Sequence, residues 1–302
     1  MNESIDFDVW GCRGSRSLIP PRSRFGNNTS CYSLLDDEDL VILDGGRGLG
    51  ALGHAMIGDG RFQGVRRIHV LVSHSHLDHW EGLKDAEWFW EPNGRLDFSL
   101  YAPPQALAAI RQGYQHPSYV PLETLAQGKL DSIQVHPLRL EGALTVGGWS
   151  VETFPLNHYS GSGAGRQMLD AFGFLLGRSG GPAVAYLCDH EPTEETRNME
   201  DRVLSRAHLA VVDAHFESIR QHAFGHGSVE HAAGVARRHT GVTVIAAHHG
   251  PTFTDAGILA ASREHANGLE NFHLAAEGST YRWRPGEGAF RRLEGSPTSG
   301  SL

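Results

Sequence analysis

His74-Ser75-His76-Leu77-Asp78-His79 places three imidazoles and one carboxylate within a single short stretch. The apolar run Ile68-His69-Val70-Leu71-Val72 precedes it and predicts a buried strand. Residues two apart in an extended segment point the same way, so His74 and His76 could share one ion, while Asp78 and His79 could serve a second. Neutral imidazole and carboxylate oxygen are ordinary ligands of zinc and similar ions. The stretch therefore predicts a metal centre where a strand ends.

Length, composition and charge limit the classes of protein to which this chain can belong. Its 302 residues, 40% of them hydrophobic, can support a sizeable core in one large domain or two small ones. The formal net charge of -9 argues against a protein that binds long nucleic acid, because such affinity comes from massed Lys and Arg. We therefore expect a small-molecule substrate.

The sequence also carries signals about the compartment. The first residues, Met1 to Asp6, lack the basic region and apolar core of a secretory signal. No apolar run approaches the roughly 20 residues that a membrane span requires. Cys12, Cys31 and Cys188 are odd in number and lack the paired spacing of a metal site, which fits a reducing compartment. A cytoplasmic protein without a membrane partner is predicted.

Strands and helices are predicted along most of the chain. The predicted strands are residues 7–10, 31–35, 40–43, 68–73, 98–101, 133–138, 149–155, 171–176, 183–187, 209–212 and 242–247, with a terminal hairpin near 280–291. The predicted helices are residues 49–56, 82–90, 104–112, 193–206, 229–239 with Ser228 as N-cap, and 255–267. Two strand-rich halves with helices between them indicate an α/β fold in which two sheets pack face to face with helices outside. We expect one domain over residues 1–294 and a disordered tail at 295–302.

Further ligands are expected at other strand ends, because the short cluster alone cannot complete two metal sites. His158 follows the predicted strand at 149–155, Asp189 follows the strand at 183–187, and His248 follows the strand at 242–247. Each is a polar ligand type placed just past an apolar strand, where loops gather into a site. A lone histidine at a strand end is usually structural, but three such positions after the six-residue cluster favour ligands.

The pattern His74-x-His76-x-Asp78-His79, followed by His158, Asp189 and His248, resembles the metallo-β-lactamase superfamily over nearly the whole chain. Asp44, in Leu43-Asp44-Gly45-Gly46, matches an early and mostly structural aspartate of that superfamily. The segments at residues 11–15 and 26–31, with Gly225-His226-Gly227-Ser228, are similar to the phosphodiesterase branch that includes RNase Z and cyclic-nucleotide phosphodiesterase-like hydrolases. The resemblance implies a four-layer αββα sandwich.

The resemblance also implies the roles of the ligands. One metal would be held by His74, His76 and His158, and a second by Asp78, His79 and His248, with Asp189 bridging the two. A metal-bridging hydroxide would then attack the substrate while the cations stabilise charge on the reacting oxygens. Zinc fits the ligand types, and manganese and iron remain open. Asp78 would also orient the hydroxide, and His226 would serve as general acid or as a phosphate contact.

Several other side chains are candidates for the surroundings of the centre. Arg13 and Arg47 could contact a phosphate, and Trp80 is close enough to the cluster to line a pocket. The Gly-rich loop at residues 159–166 is expected to move and to gate substrate. Asp213 could orient a ligand histidine. The remaining histidines are interpreted as surface groups or as neighbours of the ligands: His190, His215, His222 and His231.

His249 stands directly after His248, and strand neighbours face opposite ways, so the pattern selects His248 as the ligand. Between Asp189 and His248 the chain lacks the long basic insertion that clamps tRNA in the processing nuclease. The leading hypothesis is therefore a dinuclear hydrolase of a small or cyclic phosphodiester.

Two alternatives remain open at the level of the sequence. The same scaffold could cleave a lactone, a thioester or another carboxylic ester, since one fold hosts many chemistries. An iron-loaded redox or oxygen enzyme is the second alternative, because His and carboxylate ligands also suit iron. The resemblance is compatible with a homodimer as well as a monomer.

Overall fold

The computed structural model describes residues 4–18, 23–90, 96–127, 130–161, 163–221 and 224–293, and these contain seventeen strands. The predicted tail at 295–302 and His222 lie outside the described residues. The strands are β1 (Ile5–Gly11), β2 (Cys31–Asp36), β3 (Asp39–Leu43), β4 (Arg67–Leu71), β5 (Asp97–Ala102), β6 (Ser132–Pro137), β7 (Ala143–Val146), β8 (Trp149–Pro155), β9 (Tyr159–Ser160), β10 (Gln167–Met168), β11 (Phe172–Gly177), β12 (Ala183–Leu187), β13 (Leu209–Asp213), β14 (Thr243–Ala247), β15 (Phe272–Leu274), β16 (Thr280–Trp283) and β17 (Arg291–Arg292).

Six α-helices connect these strands within the same described residues. They are α1 (Gly48–Gly58), α2 (Pro104–Gly113), α3 (Leu122–Ala126), α4 (Arg197–Leu204), α5 (Val229–Arg238) and α6 (Asp255–His265). Ser228 caps α5 as predicted, since its side-chain oxygen accepts the backbone N–H of His231 at 3.2 Å.

The strands form two large sheets. The first has the order β17-β16-β1-β2-β3-β4-β5-β6, and the second has the order β15-β14-β13-β12-β11-β8-β7. In the first sheet β3, β4, β5 and β6 run parallel to one another. In the second sheet β12, β13, β14 and β15 do the same. The carboxyl ends of these parallel strands therefore meet at one edge of each sheet.

Two apolar cores hold the layers together. The larger one lies between the facing sheets and contains large buried side chains from both, among them Phe7, Tyr32, Trp149, Phe174 and Tyr186. A second core covers the outer face of the first sheet and includes side chains of α1 and α2. Helix α5 packs on β13 and β14 of the second sheet and on α6. The result is the predicted sandwich of two sheets between layers of helices, and that prediction is confirmed.

The helix predicted at 82–90 is wrong. Residues 81–85 and 87–89 form two short 3₁₀ turns, separated by Ala86 in an extended conformation. The Cα of Gly82 lies so close to the backbone of Gly46 that an added Cβ would be 1.9 Å from the Gly46 oxygen. Trp88 and Phe89 are adjacent in sequence, and both are buried in the outer core. These packing demands override the local preference for a continuous α-helix.

The helix predicted from 193 to 206 is shorter in the structure, since α4 begins at Arg197. The side chain of Thr193 accepts the backbone N–H of Thr196, and the Thr196 hydroxyl oxygen accepts the N–H of Thr193. Such local hydrogen bonds compete with helix formation. The sequence interpretation also missed the short elements α3, β7 and β15.

Among the described helices, none combines the length and the apolar character needed to cross a membrane. Cys12, Cys31 and Cys188 are all buried and unpaired.

Candidate metal centre

The predicted ligands gather at the carboxyl ends of strands from both sheets. The cluster from His74 to His79 follows β4 of the first sheet. From the second sheet, His158 follows β8, Asp189 follows β12, and His248 comes directly after β14. Residues separated by more than a hundred positions in the sequence therefore meet at the junction of the two sheets.

The first group of ligands contains His74, His76, His158 and Asp189, with one ligand atom of each within 4.8 Å of the others. The Nε2 atom of His158 lies 2.9 Å from Nδ1 of His76. Oδ2 of Asp189 lies 3.6 Å from Nε2 of His158 and 3.8 Å from Nε2 of His74. Atoms with lone pairs approach one another this closely when a proton or a cation lies between them.

The second group contains Asp78, His79 and His248, whose ligand atoms also lie within 4.8 Å of one another. Nε2 of His79 lies 3.4 Å from Oδ2 of Asp78 and 3.2 Å from Oδ1 of Asp189. The two oxygens of Asp189 thus face different groups, with Oδ2 toward the first and Oδ1 toward the second. This is the arrangement that a bridging carboxylate requires.

Hydrogen bonds on the side away from the centre hold three of the imidazole rings in place. Nδ1 of His79 donates to Asp44 at 2.7 Å, Nδ1 of His158 donates to the Gly225 carbonyl oxygen at 2.8 Å, and Nδ1 of His74 donates to the Ser73 hydroxyl oxygen at 3.0 Å. Each bond leaves the lone pair of Nε2 free on the side of the centre. Such anchoring is the usual support of metal-bound histidine.

The donor set fits the binding of metal ions. Several buried polar atoms of the cluster have no hydrogen-bond partner within the described residues, namely Nε2 of His74, His79 and His248 and Oδ1 of Asp189. Buried polar atoms without partners are costly, and their convergence on one place indicates a group that satisfies them together. Imidazole nitrogen and carboxylate oxygen are the donors that zinc and related ions prefer.

Burial sets the protonation of these ligands. Desolvation disfavours imidazolium, so burial lowers the pKa of His158 to about 4 and that of His248 to about 3. Burial acts in the same direction on His79, but Asp189 and Asp44 outweigh it and raise the pKa of His79 well above its usual value. Because a bound cation would supply the positive charge that these carboxylates require, metal binding at His79 displaces a proton.

Asp213 and His226 form a pair beside both ligand groups. Oδ2 of Asp213 accepts Nδ1–H of His226 at 2.9 Å, and the His226 ring lies 4.9 Å from the ring of His158 and 5.0 Å from that of His248. Burial disfavours a charged His226, yet the carboxylate of Asp213 outweighs burial and raises the pKa of His226. Asp213 was expected to orient a ligand histidine, and in the structure it orients His226 instead.

The sequence left His215 either on the surface or in the neighbourhood of the ligands, and the structure places it in that neighbourhood. Its ring stacks on His226 with centroids 4.2 Å apart and an interplanar angle of 12°. Its place one residue beyond Ala214, just past the end of β13, is a signal of the same kind that selected His158, Asp189 and His248.

The prediction that Arg13 contacts a phosphate is wrong in this structure. The Arg13 side chain is fully buried, and Nε donates to the Gly26 carbonyl oxygen at 2.9 Å. Its remaining nitrogens bond the Phe253 carbonyl oxygen at 3.2 Å and Asp255 at 3.1 Å. Because these partners belong to the segment around the start of α6, Arg13 ties the amino-terminal loop to that helix and does not face substrate.

Trp80 and Arg47 differ in their surroundings. The Trp80 ring packs against Tyr114 in the outer core, and its indole N–H donates to the Ser75 carbonyl oxygen at 3.0 Å. Trp80 thus supports the backbone of the ligand cluster, and its described contacts are not those of a pocket wall. The Arg47 side chain is exposed, and its substrate role stays a prediction.

The other histidines are placed as follows. His249 is buried, and its ring lies beside that of Phe25 with centroids 5.5 Å apart. His190 is not on the surface: it is buried, accepts the backbone N–H of Asn157 at 2.9 Å, and contacts Glu200 at 3.2 Å. Residue 162 of the loop at 159–166 is outside the described residues. Within the rest of this loop, the Ser160 hydroxyl lies 3.3 Å from Nε2 of His76.

Comparisons with known proteins agree with this geometry. The family model described as a beta-lactamase superfamily domain matches residues 56–249. No curated protein matches the chain. The metallo-beta-lactamase fold protein YhfI from Bacillus subtilis is similar in structure, with a TM-score of 0.65 at 14% identity over 93% of this chain and 100% of that one.

Two further solved structures are similar to the chain. A diphosphatase from the PhnP family has a TM-score of 0.65 at 15% identity, over 93% of this chain and 98% of that one. Unliganded yeast PDE1 has a TM-score of 0.61 at 15% identity, over 91% of this chain and 98% of that one. These likenesses show the shared fold.

Proposed function

The chain belongs to the beta-lactamase superfamily, and on that basis we propose that it is a dinuclear metal-dependent hydrolase of a small or cyclic phosphodiester. The observation that carries the proposal is the convergence of both ligand groups on Asp189, beside the Asp213–His226 pair. The first ion would be held by His74, His76 and His158, and the second by Asp78, His79 and His248, with Asp189 shared. Zinc is proposed as the metal, with manganese and iron as alternatives.

When bound, the two cations supply Lewis acidity and make water more acidic near neutral pH. The chain's own residues orient the attacking water and transfer protons. Oδ2 of Asp78 accepts the backbone N–H of Ser15 at 2.8 Å, which fixes the carboxylate that orients the attacking water. As water adds to phosphorus and the bond to the leaving oxygen breaks, Nε2–H of His226 donates its proton to that oxygen. Asp213 stabilises the charged form of His226 until the proton is transferred.

The His226 pair supports cleavage of a bond whose leaving group is an alkoxide, because such a group requires a proton donor. One structural neighbour is a diphosphatase from the PhnP family, which supports phosphorus–oxygen chemistry on this scaffold. A small substrate is favoured over RNA by the net charge of -9, since a polyanion needs massed positive charge. Residues 190–247 fold into α4, β13, α5, β14 and their connections, with residues 222–223 undescribed.

The test measures hydrolysis by the metal-loaded protein of a phosphodiester whose leaving group is an alkoxide, such as a cyclic nucleotide. We expect His226→Ala to lower kcat by about 10²–10⁴-fold, the usual contribution of a positioned acid, while the metal content stays at that of the wild type. The matched control is His54→Ala, which removes an exposed imidazole on α1 and should leave kcat unchanged.

A parallel panel of a lactone, a thioester and a simple carboxylic ester discriminates the alternative bond types. Turnover of one of these esters by protein that holds two metal ions, with no turnover of any phosphodiester, would overturn the proposed substrate class. Elemental analysis and a visible spectrum of freshly isolated protein distinguish a hydrolytic zinc centre from an iron redox centre.

A further inference from the structure

The His215 side chain makes no hydrogen bond within the described residues, although it is largely buried at the centre. Its Nδ1 atom is fully covered and lacks a partner, as do the Nε2 atoms of His74, His79 and His248. Bound metal ions would supply partners for those three nitrogens. A substrate or product bound beside them would supply one for Nδ1 of His215.

Gly14 lies next to the Nδ1 atom of His215. A Cβ added to Gly14 would lie 2.9 Å from Nδ1 of His215 and 2.6 Å from Nε2 of His248. The space beside Gly14 is therefore bounded by two nitrogens that lack a hydrogen-bond partner among the described residues, Nε2 of His248 and Nδ1 of His215. Glycine keeps this space open, because any side chain would enter it.

The orientation of the His215 ring is fixed from two sides. The ring stacks on His226, and the backbone N–H of His215 donates to Oδ1 of Asp213 at 2.9 Å. Asp213 holds both histidines, since its other oxygen accepts Nδ1–H of His226. His215 and His226 thus stand side by side at the edge of the second ligand group.

We propose that His215 is a catalytic residue whose Nδ1–H donates a hydrogen bond to a phosphoryl oxygen of the substrate or product. This inference rests on the proposed phosphodiesterase function of the same site. His215, His226 and His248 also bring ligand nitrogens within 4.8 Å of one another. We do not assign His215 to a metal, because Asp78, His79, His248 and the shared Asp189 already offer the second ion four protein donors. A pre-positioned donor to an anionic oxygen stabilises the charge that develops during the reaction.

The test compares three substitutions that separate the hydrogen bond from the stacking. In His215→Asn the amide nitrogen takes the place of Nδ1, in His215→Gln it lies nearer the place of Nε2, and in His215→Phe a stacked ring remains without a donor. We expect Phe and Gln to weaken binding of inorganic phosphate and to lower kcat/KM for bis(p-nitrophenyl) phosphate by about 10–100-fold. Asn should keep both within about threefold of the wild type, since a neutral donor remains.

Two readouts make the outcome unambiguous. Phosphate affinity is measured by calorimetry on the metal-loaded proteins, and the metal content of each variant is measured by elemental analysis. Wild-type phosphate affinity and kcat/KM in His215→Phe would overturn the proposal, and so would loss of one metal ion in all three variants. Because phosphate binding needs no turnover, a wild-type protein that binds phosphate but cleaves no diester refutes only the proposed function. A wild-type protein that does not bind phosphate refutes the role of His215.

Discussion

At the scale of single residues, Asp44, Asp189 and His248 have positive φ angles of 58°, 58° and 60°. A left-handed backbone costs a residue with a side chain about 1 kcal/mol or more, although aspartate tolerates it better than most. Each of the three lies just past a buried strand, and each carries a side chain of the centre. The strain is therefore located where the chain turns a functional group toward the metal position.

Asp44 supports the centre through His79. Its Oδ2 accepts Nδ1–H of His79 at 2.7 Å and the hydroxyl of Tyr186 at 2.6 Å. We expect Asp44→Asn to weaken metal affinity by about 10–100-fold, because the carboxylate that orients His79 and raises its basicity is lost. Asparagine tolerates the left-handed backbone, so the loop should keep its shape. Competition with a chromophoric chelator measures the affinity.

The control for this substitution is Tyr186→Phe, which removes one hydrogen bond to Asp44 and leaves its charge in place. A smaller loss of affinity is expected there. Equal metal affinities of Asp44→Asn and the wild type would contradict the role given to Asp44.

At the scale of secondary structure elements, the parallel strands β3 and β4 carry residues of the centre at their carboxyl ends and charged contacts between the strands at their amino ends. Their carboxyl ends lead to Asp44 and to the ligand cluster. At the amino end of β3, Asp39 contacts Arg67 at 2.6 Å and His69 at 3.1 Å, both on β4. These contacts therefore hold together the two strands that position the centre.

The Asp39 pair predicts how stability depends on pH. Burial alone would raise the pKa of Asp39, but the hydrogen bonds from His69 and Arg67 outweigh it and lower the pKa to about 2. A pKa below the unfolded value of 3.8 means that the stabilisation is present above about pH 4 and is lost as pH falls toward 2. Asp39→Asn should lower the free energy of unfolding at pH 7 by about 1–2 kcal/mol and flatten this acid dependence.

Urea unfolding between pH 7 and pH 2 measures the effect. Asp37→Asn is the matched control, because Asp37 is an exposed residue of the β2–β3 turn with a left-handed backbone that asparagine accepts. Identical pH dependence of the Asp39 variant and the wild type would contradict the prediction.

At the scale of the whole molecule, each proposed ion joins the two sheets. The first group combines His74 and His76 from the first sheet with His158 from the second. The second group combines Asp78 and His79 with His248 in the same way. Metal binding should therefore stabilise the packing of one sheet on the other, in addition to its chemical role.

Removal of the metals should lower thermal stability. An ion present at 100 times its Kd stabilises the folded state by about 2.7 kcal/mol, so chelation of two ions should lower Tm by roughly 10 °C. Thermal melts of the metal-loaded and the chelator-treated protein measure the change, and added metal should restore Tm. An unchanged Tm after verified removal of both ions would show that the sheets pack without them.

The candidate site was more predictable from sequence than its surroundings. The cluster at 74–79 and the positions of His158, Asp189 and His248 just past apolar strands could be recognised because strand periodicity is local. The partnership of Asp213 with His226 and the place of His215 could not, because they depend on contacts between loops. Arg13 was misjudged for the same reason: its partners at Phe253 and Asp255 are distant in sequence.

Residue type and short spacing were enough to predict the alternation of strands and helices, a set of metal-ligating side chains and the resemblance to a superfamily. The packing of distant segments was needed to establish that residues 81–85 and 87–89 form 3₁₀ turns, that Arg13 is buried, and that His215 stacks on His226. The physical reason is that burial and hydrogen bonding are properties of the packed molecule. A side chain's free lone pair becomes functional only when distant strands bring its neighbours within a few ångströms.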